Sequence, residues 1–505
     1  MKYVLTVLAF SLWVAPLVLA QGTINPTWEI VRTSTVNNGS AEAWGIDVKA
    51  DGTIYWATNQ TRPFRFLDVM FYKLDADGNE IWSAPTIYSD LFAEQIYKVT
   101  LAEPVVYLGG RTCTNANPFD LQCDMLILAV DAESGDTLWS TLWGQGIGYE
   151  EADGLVVEPD GIYITGWTDS GATNLDVALL KLDLQGELLW SNPWGTDLTE
   201  HQDGHSVVDS SFIYIAGVYR GGLNLFFFAQ GFDGEALVAK FSKADGSYVD
   251  HISFGVDDPW VDLENALGMA SDGEFLYVVG ITTVAEGNND IFLHKYDKAL
   301  NRIWATTWST EATESARAIA LGDDGTIYVG GNTDGAGEGG LDVALLAFTN
   351  DGDFINAQTW GGTDGDHALD ILVRDGFIYL TGKFNCIEIS PLNEVCDAYL
   401  LKVDPATVVS TEAETPIPAP VSVQQNYPNP FSSATTFTFS LPRPGYATLK
   451  IYNLLGQEVA TAVAEDLPAG MHSRVWEAQG IPNGVYFYRF TAGASTITKK
   501  MLLVR

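Results

Sequence analysis

Basic side chains are scarce in this sequence. Twenty-six Lys and Arg stand against 65 Asp and Glu in 505 residues, a formal net charge of −39. A field of that sign repels nucleic acid and anionic membrane surfaces and makes both poor partners. Histidine is scarce too, with six in all. No HExxH, GxSxG, phosphate-loop or strand–helix GxGxxG signature occurs, so the common zinc, serine-nucleophile and nucleotide sites have no carrier. A convincing long helical period is also missing. Core-forming residues are not missing: hydrophobic content is 47% and aromatic content 12%, which rules out a chain disordered as a whole. The length suits two or three domains, or one large repeat domain with a small companion.

Residues 1–20, MKYVLTVLAFSLWVAPLVLA, read as a secretory signal peptide. Lys2 is the positive start, Val4 to Val18 the apolar stretch, and Ala20 the small residue before a cut at Gln21. The alternative is a transmembrane anchor, but the run is short for a bilayer span and polar sequence follows it. The four cysteines fit export. Cys113 and Cys123 are ten apart, as are Cys386 and Cys396, and both pairs take matching places in a repeat. That pattern points to two local disulfides in an oxidising compartment rather than to a metal site.

The repeat is the main signal. EEADGLVVEPDGIYITG (150–166) and DGDHALDILVRDGFIYLTG (364–382) share an acidic start, an alternating strand, an Asp-Gly turn, an Ile-Tyr strand and a glycine. The tyrosines Tyr55, Tyr107, Tyr163, Tyr214, Tyr277, Tyr328 and Tyr379 are spaced by 52, 56, 51, 63, 51 and 51 residues, which counts seven units. Each unit continues with a third strand such as DVALLKLD (176–183), and a fourth often carries Trp, as at Trp82, Trp139, Trp190 and Trp304. Four short strands in each of seven units predict a seven-bladed β-propeller over 21–408. The seventh unit stops without its Trp strand, while PTWEIVRTST (26–35) supplies a spare strand at the start. The two are expected to pair and close the ring, removing open sheet edges. The repeats resemble those of bacterial β-propellers in secreted and surface proteins, a likeness that implies fold and leaves function open.

Candidate sites fall on the loops. An acidic residue opens the first strand of every unit: Glu42, Glu94, Glu151, Asp203, Glu264, Glu314 and Asp366. These form either a ring at one channel mouth that takes a cation or basic ligand, or carboxylates that bond backbone N–H groups of the neighbouring blade. The connections from second to third strand vary most and share a face with the connections between units, so a binding surface belongs there. One of them holds Leu225, Phe226, Phe227 and Phe228, an apolar contact loop or one that folds back on its own blade. His201, Asp203 and His205 lie close in EHQDGH (200–205), and His367 enters the seventh unit, but no helical spacing converges them on a metal. Asp/Gly turns such as DADGN (75–79) are read as turn chemistry. No cofactor is assigned, and no complete calcium loop supports that cation.

After Pro405 the texture changes. Residues 409–423 form a Pro-rich linker, and 424–505 form a strand-rich block expected to be a small immunoglobulin-like β-sandwich. Its QNYPNPF, FTFSLP, LKIYNLLGQEV, LPAGMHSRVWEA, IPNGVYFYRF and terminal KKMLLVR together resemble the type A C-terminal sorting domain of the type IX secretion system. Asn426, Tyr427, Pro428, Asn429, Pro430 and Phe431 carry its entry motif. Ser432 and Ser433 depart from the Asn-Pro that many members carry there. The resemblance implies export through the periplasm to the outer surface or medium, with the secretion machinery as partner. The whole reads as an all-β protein that displays a binding or scaffold module for an extracellular glycan or protein, with no membrane span once mature. The alternative is a carbohydrate-active hydrolase or lyase with its site on the loop-rich face.

Overall fold

The computed structural model describes residues 21–34, 39–62, 65–85, 93–113, 122–144, 148–169, 175–196, 199–221, 234–255, 264–285, 288–310, 312–337, 339–390, 393–409, 422–423, 426, 429, 431–441, 445–453, 457–467, 470–478, 480–492 and 495–504. The expected signal peptide, the loop Leu225–Phe228 and most of the linker lie outside these residues. The chain divides into two compact units, one within 21–412 and one within 413–505.

The first unit is a seven-bladed propeller. Each blade is an antiparallel four-stranded sheet, with inner strands Ala41–Val48, Ala93–Ala102, Glu150–Glu158, Thr199–Val208, Glu264–Ser271, Glu314–Leu321 and Gly365–Arg374. Trp28–Arg32 pairs antiparallel with Asn393–Val403 and completes the seventh blade. The segment before it, Gln21–Thr23, runs parallel to Phe354–Trp360 and adds a fifth strand to the sixth blade. The start of the unit therefore ties two blades together.

The repeat's signature residues explain how blades stack. All seven repeat tyrosines are buried. Lys73, Lys181, Lys240, Lys295 and Lys402 of the third strands lie 4.8–5.8 Å from the ring centroids of Tyr55, Tyr163, Tyr214, Tyr277 and Tyr379, burying their stems while the ammonium faces the ring. The outer-strand tryptophan of one blade covers the turn between the third and fourth strands of the next. A Cβ at Gly186 (φ 88°) would meet Trp139 at 2.6 Å, and at Gly246 (φ 71°) Trp190 at 2.5 Å. Only glycine offers both that φ and that clearance. The fourth blade has Asp250, and the sixth Asn356, where the other five have Trp. In the sixth the turn of helix Pro405–Val409 fills the gap, with Asn356 Nδ2 donating to Val408 O at 3.0 Å.

The second unit is a β-sandwich of a three-stranded sheet (Ser422–Val423, Ala434–Leu441, Gly470–Glu477) and a four-stranded sheet (Glu458–Leu467, Gly445–Tyr452, Gly484–Ala492, Ser495–Leu503). Phe437, Phe439, Leu449, Ile451, Tyr488, Phe490 and Met501 fill its core. Asn426 is buried at its entry: its backbone N–H donates to Tyr488 Oη at 3.2 Å and its Nδ2 to Thr435 Oγ1 at 2.9 Å. Phe431 is buried as well and pairs through its backbone with Leu502 and Val504. Leu502 N donates to Asn429 Oδ1 at 2.8 Å. Asn426, Asn429 and Phe431 of the entry motif thus fasten to the strands Ala434–Leu441, Gly484–Ala492 and Ser495–Leu503. Tyr427, Pro428 and Pro430 lie outside the described residues.

Candidate channel site

The inner strand of each blade carries one irregularity, and it builds the site. Pairing with the second strand skips a residue between Ala43 and Gly45, Ile96 and Lys98, Ala152 and Gly154, Ala266 and Gly268, Ala316 and Ala318, and Ala368 and Asp370; in the fourth blade it skips from Gln202 to Ser206. A bulge re-aims the side chain it leaves unpaired. Trp44, Tyr97, Asp153, His205, Leu267, Arg317 and Leu369, one per blade, line a single pocket on the channel. This position does not repeat in kind, because the seven blades bring two aromatics, two leucines, an acid, a histidine and an arginine to the same place.

Aromatic packing and charge pairing order the pocket and its mouth. Trp44 and Tyr97 meet edge to face at 5.4 Å, and the Arg317 guanidinium lies 5.3 Å from the Trp44 ring centroid. Trp44 Nε1 donates to Glu42 Oε2 at 2.9 Å. Tyr97 Oη donates to Gln95 Oε1 at 2.8 Å, and burial holds its hydroxyl well above the usual phenol range. Toward the mouth, Arg111 donates to Glu151 Oε2 at 2.7 Å and to Gln95 Oε1, and its guanidinium lies 4.6 Å from the Tyr149 ring, which stacks on Trp167 at 4.8 Å. Lys383 bridges Glu42 Oε1 at 3.3 Å and Glu394 Oε1 at 2.6 Å.

Deeper in the channel, three blades meet. Lys98 Nζ stands 3.3 Å from Asp370 Oδ2 and 3.2 Å from His205 Nε2, and His205 Nε2 stands 3.4 Å from Asp370 Oδ1. Burial, reinforced by the Lys98 ammonium, pushes His205 down to about 4, so it is neutral at pH 7 and the ionic pair is Lys98–Asp370.

The register corrects the acidic ring read from the sequence. Counted back from the bulge, the equivalent positions are Ala41, Glu94, Glu150, Glu200, Glu264, Glu314 and Asp366. Glu42 and Glu151 sit one residue further on and face the mouth. Asp203 lies within the fourth blade's irregularity, and its side chain, like that of His201, lies outside the described residues. Glu94, Glu150, Glu200, Glu264, Glu314 and Asp366 are all buried. The contacts of four of them are latches rather than a ligand site. Thr196 N donates to Glu200 at 2.7 Å, Thr310 N to Glu314 at 3.1 Å, and Gly362 N and Asn385 N to Asp366 at 2.7 and 2.6 Å. Thr282 Oγ1 donates to Glu264 at 3.0 Å. A second acid opens the third strand of the preceding blade. A Cβ at Gly361 would meet Asp366 Oδ2 at 2.2 Å and Asp342 Oδ1 at 2.5 Å, which explains the glycine after the outer-strand Trp. Burial and Glu314 push Asp290 of the fifth blade up to about 6.

Both cysteine pairs are bonded, Cys113–Cys123 and Cys386–Cys396. His367, Cys386 and Glu394 bring ligand atoms within 4.8 Å of one another. The sulfur is bound to Cys396 and Glu394 holds Lys383, so the group lacks the thiolate and free carboxylate a metal needs. Sequence reasoning missed the bulge residues. Their signal was a variable residue between an alanine and a small residue, as in Ala43-Trp44-Gly45, Ala152-Asp153-Gly154 and Ala316-Arg317-Ala318.

Residues 425–504 match the secretion system C-terminal sorting domain, which implies export to the outer surface or the medium and contact with secretion machinery. Among the described residues no helix is long and apolar enough to cross a membrane. A comparison with curated proteins finds no match. Similar solved structures include the WD40 domain of Pan2 from Neurospora crassa, at 11% identity over 76% of this chain and 97% of that chain with a TM-score of 0.44. Extracellular domains 1–2 of Drosophila Semaphorin 1b align at 9% identity over 77% and 88%, TM-score 0.46. The α-L-arabinofuranosidase Arb93A of Fusarium graminearum, in complex with an iminosugar inhibitor, aligns at 10% identity over 77% and 99%, TM-score 0.42.

Proposed function

We propose that the propeller is an exported binding module for an extracellular glycan, seated over the channel pocket on the face where the inner strands begin. The observation that supports this reading is the bulge ring. A repeat protein that keeps its Tyr, Lys, Trp and Gly in register while changing one inward-facing residue in every blade is built around that position. Trp44, Tyr97 and the Tyr149–Trp167 stack bring aromatic surface to this end of the channel, and Arg317, Asp153, Glu42 and Glu151 bring hydrogen-bonding edges. Sugars present the matching pair of surfaces, an apolar ring face and a rim of hydroxyls. Export by way of the sorting domain puts the module where such polymers are met.

Binding without turnover is favoured over hydrolysis or lyase chemistry because the two mouth carboxylates are engaged. Glu42 holds Lys383 and Trp44, and Glu151 holds Arg111. Held by these partners, the two carboxylates are positioned as hydrogen-bond acceptors rather than left free to face a leaving group. The test is a glycan array run beside a polysaccharide-turnover assay on the secreted protein. Binding without product supports the reading. Turnover that Glu42→Gln or Glu151→Gln abolishes replaces it with the enzymatic one.

A further inference from the structure

We infer that the sorting domain is received through the outward face of its four-stranded sheet, and that the surface it meets there is an acidic protein of the secretion machinery. Residues 424–505 hold seven Lys and Arg against four Asp and Glu, a reversed balance in a chain of net charge −39. The strand register shows where that excess collects. Lys450 stands opposite Arg489, Tyr452 opposite Phe487, and Phe487 opposite Lys500 on the last strand. Directly opposed residues share a face. Leu449, Ile451, Tyr488, Phe490 and Met501 alternate with them and fill the core, so Lys450, Tyr452, Phe487, Arg489 and Lys500 all stand on the outward side. Arg489 and Lys500 are exposed, and Tyr446, four residues before Lys450 on the same face, is 57% exposed. The other side of the sandwich differs. The outward residues of the three-stranded sheet include Ala434, Thr436, Val475 and Glu477, with no base among the described side chains.

The cations on this face are presented rather than consumed. The Arg489 guanidinium lies 4.9 Å from the Tyr452 ring centroid. Lys450 Nζ stands 2.9 Å from Glu458 Oε2, with side chains 38% and 42% exposed. A pair that open to water is worth little, so Lys450 can trade Glu458 for a carboxylate of a partner. Arg beside Tyr and Phe is the composition of protein contact centres. Anionic lipid is recognised instead by clusters of roughly four to eight Lys and Arg. Three bases interleaved with Tyr446, Tyr452 and Phe487 match an acidic protein surface that also offers apolar contact.

The test is export of the full-length protein from its own cells, read as the fraction found beyond the periplasm. Arg489→Glu combined with Lys450→Glu is expected to lower that fraction about tenfold or more, because like charges then face the partner. Arg489→Gln combined with Lys450→Gln removes the attraction without adding repulsion, and its export should fall between the two. Thr436→Glu combined with Val475→Glu adds acid to the other sheet and should leave export at the parental level. Protease resistance of the periplasmic material reports whether each variant folds. Parental export of a folded Glu pair overturns the proposal, and parental export of the Gln pair does so even where the Glu pair fails to fold. Equal losses in the Glu and Gln pairs remove the acidic partner, and an equal loss from the other sheet removes the face. Flotation with phosphatidylglycerol vesicles that the parent shows and the Glu pair lacks assigns the face to lipid instead.

Discussion

Trp28 lies against the turn at Gly78: a Cβ there would meet its indole at 3.3 Å, and Trp28 Nε1 donates to Ala76 O at 3.3 Å. The same contact joins Trp82 to the turn at Gly135, where Nε1 donates to Glu133 O at 2.9 Å, and Trp304 to the turn at Gly352. Trp82 and Trp304 join neighbouring blades along the chain. Trp28 joins the last blade to the first, so this one indole repeats at the ring's seam what the others do inside it.

Trp28→Ala is therefore expected to open the seam. The side chain is half-buried, so the loss is about 2 kcal/mol, below the range for a fully buried tryptophan. Denaturant unfolding should show it, and hydrogen exchange should locate the lost protection in Trp28–Arg32 and the strand it pairs with. Trp82→Ala should cost a similar amount without exposing that strand.

Gly78 has a φ of 82° and Gly186 one of 88°. Alanine at either pays for the backbone and displaces the covering indole, a combined loss of about 2 kcal/mol. Alanine at Gly376, whose Cβ would meet nothing within 4 Å, carries only the backbone part and should lose about half as much. Thermal unfolding of the three variants separates the two contributions.

These contacts mark what the sequence makes legible. Tyr, Lys, Trp and Asp-Gly recur because every blade must solve the same stacking problem, so periodicity exposes them and with them the fold, the closure and the disulfides. The bulge breaks that arithmetic. One extra residue in each inner strand shifts the count, so Glu42 and Glu151 look equivalent to Glu94 and Glu264 although they stand one position further on and face another way. The channel residues escape for the opposite reason: a search for repetition discards positions such as the one where Trp44, Asp153 and Arg317 differ. Lys98 and Asp370 meet across 272 residues of sequence, a relationship that only closure of the ring creates.

Two buried groups set opposing pH dependences. Asp290 titrates near 6 in the fold, above the carboxyl value of 3.8. Its contribution is present at acid pH and is lost as pH rises through that window. His205 is held down to about 4 from 6.5, so the unfolded chain takes up its proton first and stability falls as pH drops from 6.5 toward 4. Asp290→Asn should remove on the order of 2 kcal/mol of the alkaline-side loss, and His205→Gln should flatten the acid side. Unfolding free energies measured from pH 4 to 8 for the two variants and the parent check both signs.

Reduction of Cys113–Cys123 or Cys386–Cys396 frees a loop of ten-residue spacing. The chain-entropy account gives about 3 kcal/mol for each closure. Paired Cys→Ser variants, unfolded in denaturant beside the parent, should show losses of that order with ring closure intact, because both bridges lie within single blades.

Removal of 424–505 takes away the sorting domain and leaves the propeller's own core whole. The truncated protein is expected to accumulate, folded, in the periplasm. Fractionation that finds it in the medium or on the surface at parental levels would show that export does not depend on this domain.

The central claim is that the bulge ring is the binding site, and affinity for the glycan selected on the array tests it most directly. Trp44→Ala and Arg317→Met, each compared with the parent by calorimetry at a temperature below its own unfolding transition, are expected to weaken binding about tenfold or more, as removal of a central contact does. Parental affinity in both variants would place the ligand somewhere other than the channel and contradict the account.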